Sequence, residues 1–147
     1  MNIKGLDGRE YSWNPSIHQA ETEVRSSLHT KAKELLQVLF PYDRILEEVS
    51  LPGSKTAMRK STLRADLFVP NRDLIVEVHG EQHYRFNSFF HKNKMAFYKA
   101  KARDSEKKEW CELNNIRLVE LSYDEDIDEW RRKIEELLGG YGLVVGL

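Results

Sequence analysis

The sequence is poor in residues that staple or break a chain: it holds one cysteine, Cys111, and four prolines in 147 residues. A single thiol excludes an internal disulfide and a cysteine-rich zinc site, which leaves Cys111 to pack as a small apolar group. No uninterrupted apolar run is long enough to cross a bilayer, and the opening MNIKGLDGREYSW lacks the charged-then-apolar order of a secretory signal. A cytoplasmic protein without a membrane partner is therefore expected. Internal repeats and low-complexity tracts are absent as well, and so is a net charge of any size, the formal total being -1.

That total hides a division along the chain. Residues 1–53 carry 6 basic and 8 acidic side chains, residues 54–108 carry 13 and 6, and residues 109–147 carry 4 and 10, giving balances of -2, +7 and -6. A basic middle suits a phosphate backbone, although charged helices also serve solubility alone. With 40% hydrophobic and 32% charged residues, the composition is that of a globular domain with one core.

Residues 1–15 show no period and contain Gly5, Gly8 and Pro15, so they read as an irregular arm ahead of a single domain, 16–147. From Ser16, Val24, Leu28, Ala32, Leu35 and Leu39 recur at three- and four-residue steps until Pro41, which predicts a helix. RILEEVSL reads as a strand, and GSKTAMRKST as a basic surface loop. Leu63 to Val69 and Leu74 to His79 form two apolar strands joined by a turn at PNRD. About Asn87 to Leu113 is helical and lysine-rich, NNIRLVELSY is a turn and a buried strand, and DEDIDEWRRKIEELLGG is a capped amphipathic helix. The order helix, three strands, helix, strand, helix suits an α/β fold with a mixed sheet between helices.

Chemistry concentrates in RADLFVPNRDLIVEVHGEQHY. Strand alternation puts Glu77 and His79 on one face and Val76 and Val78 on the other. A carboxylate inside LIVEV is costly to bury without a partner, and Asp66 in LRADLFV poses the same problem. If the hairpin pairs about PNRD, the two acids lie on adjacent strands and can share one divalent ion, with oxygen ligands favouring Mg²⁺ or Mn²⁺. Two strand acids are, taken alone, more often ordinary surface residues; their clustering with histidines is what raises the metal reading. His79 or His83 could take a proton from an attacking water, and the break at Gly80 would let Gln82 and His83 turn back toward the ion. A zinc site of His79 and His83 with His91 or Cys111 matches no common finger spacing.

These residues, followed by RDSEKKEWCELNNIRLVEL, resemble the PD-(D/E)XK or restriction-endonuclease-like superfamily. Within it they are most similar to very-short-patch-repair-type endonucleases and related phage homing endonucleases, over about residues 28–123. The resemblance implies an α-β-β-β-α-β core with an extra C-terminal helix, and Mg²⁺-dependent hydrolysis of DNA in a bacterial or phage-infected cytoplasm. It implies that Asp66 and Glu77 hold the metal with the backbone carbonyl of Val78, and that His83 works near the scissile phosphate. Asp104 would orient that histidine, a helix-surface salt bridge to Lys107 or Lys108 being the competing reading. His79 stands where the superfamily keeps lysine, and His29 where the branch keeps a glutamate on its first helix.

Lys55, Arg59, Lys60 and Arg64 flank the Asp66 strand and could clamp the phosphates of duplex DNA. Phe89, Phe90 and Tyr98 could stack on bases, yet their helical spacing better suits a buried face. A double-strand cutter of this size would act as a homodimer. Two other functions compete: a non-catalytic DNA-binding module on the same fold, and an adaptor that offers the acidic helix 125–138 to a protein.

Overall fold

A computed structural model describes residues 1–18, 26–81 and 94–139. In chain order the elements are β1 (Asn2–Lys4), β2 (Glu10–Ser12), α1 (Ser27–Leu39), β3 (Leu46–Ser50), β4 (Arg64–Val69), β5 (Leu74–His79), α2 (Lys94–Leu113), β6 (Arg117–Ser122) and α3 (Ile127–Leu137). The sheet order is β3-β4-β5-β6, antiparallel except for the β5–β6 pair, which is parallel and connected through α2. This is the mixed α/β architecture that the element order predicts, with the same succession from α1 to α3.

Leu74, Ile75 and Val76 are all fully buried because β5 is a central strand covered on both faces. Leu67, Val76 and Leu121 pack against Leu36 of α1 and Trp130 and Ile134 of α3. On the opposite face Phe68 and Ile75 pack with Trp110 and Cys111 of α2. Cys111 is thus the small apolar core residue expected of a lone thiol, and burial pushes its thiol up to about 12.

Local signals explain the helix ends. Ser26 caps α1 by accepting the His29 N–H at 3.0 Å, and Pro41 follows the last turn. Periodicity placed this helix's start at Ser16, but residues Pro15–His18 form a 3-10 turn, and 19–25 lie outside the described residues. Asp126 caps α3 through the Glu129 N–H at 2.8 Å, and Gly139, at φ +72°, follows its end.

Residues 1–15 are not an irregular arm. β1 and β2 pair as a hairpin whose Ile3 joins the α2-side core, together with the neighbouring Trp13. Trp13 stacks on Phe68 with centroids 5.2 Å apart, meets Trp110 edge-on at 5.3 Å, and donates Nε1–H to the Ser50 carbonyl. A Cβ on Gly5 would come within 2.7 Å of the Gly53 Cα, so only glycine lets the hairpin sit this close to the turn after β3. Strands of three residues leave too little sequence for an alternation to register.

Candidate functional site

The β4–β5 ladder runs from Val69↔Leu74 to Leu67↔Val76 and stops. At the next step, side chains replace backbone carbonyls as acceptors. Glu77 Oε2 accepts the Asp66 N–H at 2.7 Å, and Asp66 Oδ2 accepts the Val78 N–H at 2.9 Å. The two acids are thereby held side by side, as the hairpin register predicts. Glu77 is only 2% exposed, while Asp66 is half-buried.

Lys107, reaching down from α2, donates to Glu77 Oε1. Burial and then the neighbouring Asp66 push the Glu77 carboxyl up to about 8, against the pull of Lys107. Burial would likewise lower Lys107, yet Glu77, Asp66 and Asp104 together hold the ammonium above the ordinary lysine range. These two tendencies oppose each other over one proton. We take the ion pair as the neutral-pH state, because Lys107 faces two further carboxylates and Glu77 already accepts a backbone N–H.

Glu77 is paired in register with Glu120 of β6. Glu120 accepts from His79 Nδ1 at 3.1 Å and from Lys108 Nζ at 2.8 Å, and these hydrogen bonds, His79 first, hold its carboxyl down to about 2. His79 is buried, so Glu77 and His79 do share the α2-facing side of β5, opposite Val76.

His29 is buried on α1, but its partners lie on β3: Nε2 is 2.9 Å from Glu47 Oε1, and Nδ1 is 4.0 Å from Glu48 Oε1. Glu48 falls between the pairs Glu47↔Leu67 and Val49↔Ala65, level with Asp66, and its φ of +50° is a left-handed conformation inside a strand. Glu48, Asp66, Glu77 and Glu120 therefore form a transverse row, one acid per strand of the sheet. The structure joins Asp66, Glu77 and Lys107 directly, and sets His79 with Glu120 alongside.

Gln82 and His83 lie outside the described residues, as do Phe89, Phe90 and His91. Asp104 lies on α2, where its charge helps hold Lys107 protonated. Of the two lysines considered as its helix-surface partners, Lys107 reaches Glu77 and Lys108 reaches Glu120. Lys55, Lys60 and Arg64 are exposed. Arg59 is half-buried and clamped by Glu106 and the Ser54 carbonyl, which ties its loop to α2. Tyr98 departs from the core expectation, being 61% exposed.

Sequence reasoning named Lys107 only as a helix-surface partner of Asp104, and it passed over Glu120. A signal existed for each: Lys107 precedes Trp110 and Cys111 at the i+3 and i+4 spacing of an inward stripe, and Glu120 interrupts RLVELS as Glu77 interrupts LIVEV.

Among the described residues no three His, Cys, Asp or Glu side chains converge as a metal-holding group. Mg²⁺, however, commonly keeps several waters and takes only one or two carboxylates. Asp66 and Glu77 fit that demand: they are adjacent, burial and then Asp66 raise the Glu77 carboxyl, and no described residue donates to Asp66 Oδ1.

No family model matches the chain, and no solved structure matches it. "Uncharacterized protein 033L" of Invertebrate iridescent virus 3 is 43% identical over 63 residues, which are 43% of this chain and 32% of that protein. "Uncharacterized protein 307L" of Invertebrate iridescent virus 6 is 44% identical over 61 residues, 42% of this chain and 31% of its own length. The chain thus spans about a third of the length of these relatives. Among the described residues no helix is long and apolar enough to cross a membrane.

Proposed function

We infer that the protein is a metal-dependent DNA endonuclease that hydrolyses phosphodiester bonds, with Asp66 and Glu77 as carboxylate ligands of Mg²⁺, for which Mn²⁺ substitutes. The observation that carries this reading is the pairing of half-buried Asp66 with buried Glu77 at the end of the β4–β5 ladder, with Lys107 against Glu77. Burying two acids together is costly, and a divalent cation offsets that cost while offering a binding point to a phosphate. When bound, the cation would neutralise charge on the phosphate and make a coordinated water more acidic.

The remaining work falls to the chain itself. Lys107 brings a second positive charge to the place where phosphate charge accumulates, held there by Glu77. Glu120 accepts from His79 Nδ1 and fixes the ring, so that in the neutral ring Nε2 is the basic nitrogen. We assign removal of the water's proton to His83 or His79, and the burial of His79 behind Glu120 favours His83. Lys55, Lys60 and Arg64, exposed beside the Asp66 strand, are the candidates for holding the backbone of duplex DNA. Cutting of both strands, as opposed to a nick, would call for a pair of chains, because one centre hydrolyses one strand at a time.

A second reading, a DNA-binding module without hydrolysis, is favoured by one observation: Lys107 already neutralises Glu77 without an ion. Incubating the protein with supercoiled plasmid and with genomic or phage DNA, in Mg²⁺ or Mn²⁺ against EDTA, separates the two. Metal-dependent nicks are expected. Binding without any nick on all substrates supports the module.

A further inference from the structure

On α2, N-terminal to Lys107, lies a cleft that neither the acid pair nor the core lines. It has a volume of about 380 Å³ and opens between the 54–62 loop and the first three turns of α2. Met58, Met95 and Tyr98 line it, and they are 92%, 61% and 61% exposed, so large apolar surfaces that would ordinarily be buried are gathered in one concavity. Arg59, Lys99 and Arg103 supply its positive charge, and Glu106, paired with Arg59, its one carboxylate. Arg59 is committed to Glu106 and the Ser54 carbonyl and so fixes the loop as the cleft's wall. Lys99 and Arg103 hold no ion pair among the described residues.

An aromatic ring and two thioethers beside two cations are complementary to a flat π-surface that carries a negative charge, which describes a nucleotide whose base is not paired. In a complete duplex the base faces are stacked and only phosphates would reach this wall. Position on the helix ties the cleft to the acids: Arg103 lies four residues, about 6 Å of axial rise, before Lys107, which contacts Glu77. We propose that this cleft grips an unpaired nucleotide, its base against Tyr98, Met58 and Met95 and its phosphate at Lys99 and Arg103, on the helix that brings Lys107 to Glu77. The site deepens the nuclease reading and rests on it for the nature of the polymer. Its substrate class is then DNA that is single-stranded or locally unpaired.

Fluorescence anisotropy of the full chain in EDTA tests this without any cleavage. The probes are three labelled DNAs of one sequence: a single strand, a duplex with one bulged nucleotide, and a complete duplex. The wild type should bind the first two at least about fivefold more tightly than the third, and Tyr98→Ala should lose about tenfold on those two while leaving the duplex unchanged. Arg103→Gln should weaken all three alike. Because Tyr98 is exposed, its loss leaves folding intact, which far-UV circular dichroism checks. Equal binding by Tyr98→Ala, or equal affinity for the complete duplex, overturns the proposal. Failure to bind any of the DNAs overturns it too and turns the cleft over to a protein partner. The preference for unpaired DNA stands or falls whether or not Mg²⁺ later yields a cut, so its failure is distinguishable from failure of the catalytic reading.

Discussion

Lys107 of α2 spans the gap between helix and sheet to donate to Glu77, the carboxylate that also anchors the Asp66 N–H. One buried side chain thus ties together a helix and two strands. Removing either charge alone leaves the other buried without its partner, whereas removing both does not.

Lys107→Met should therefore destabilise the protein by about 3 kcal/mol. The double variant Lys107→Met, Glu77→Gln should recover most of that loss. Urea denaturation of the wild type, both single variants and the double variant measures the coupling. Additive losses would mean that the contact contributes nothing to the fold.

Glu120 predicts a pH dependence. His79 and Lys108 hold its folded-state pKa down to about 2, below the ordinary value of 4.5, so between those values the unfolded chain binds more protons. The stabilisation is present in full above about pH 4.5 and is lost as pH falls toward 2. With a quarter of the side chain exposed, its size is discounted to about 1–2 kcal/mol. Glu120→Gln should lower the urea midpoint at pH 7, and the gap to wild type should close as pH drops to 2.5. A gap that persists there would mean the loss was one of packing.

His29→Ala separates structure from catalysis at α1. Its ring contacts Glu47 and Glu48, so the substitution should cost about 1–2 kcal/mol of stability and leave any cleavage rate within about threefold. A hundredfold loss of rate in a folded variant would instead give the first helix a direct part in the reaction.

Trp13→Ala should cost about 3–5 kcal/mol, because Trp13 fills the α2-side core between Phe68 and Trp110. Thermal denaturation reads the effect. A loss below about 1 kcal/mol would mean that residues 1–15 contribute little to the core.

The contrast between Trp13 and Ile75 explains how much of the fold was legible. β4, β5, β6 and α3 announce themselves because each is long enough to repeat a pattern or carry a cap, as Asp126 does. β1 and β2 are three residues each, and their burial comes from packing under α2, a long-range contact that no local window contains. At the site, Asp66 and Glu77 were legible because a carboxylate in an apolar strand is anomalous wherever the strand sits. The pairing of Lys107 with Glu77 was not, since its spacing to Trp110 and Cys111 marks only a helix face, and docking on the sheet is what brings that face to Glu77. Tyr98 was misjudged for the converse reason: helical spacing gives a face but not which face is covered.

The most direct test of the central claim is the single-turnover cleavage rate of a DNA that the wild type cuts, measured at saturating Mg²⁺ for wild type, Asp66→Asn and Glu77→Gln, alongside their affinity for the same DNA. The account predicts that each variant folds, binds within about fivefold of wild type and cleaves at least about a thousandfold more slowly, as loss of a metal-held transition-state interaction requires. Cleavage by either folded variant within threefold of wild type would contradict it.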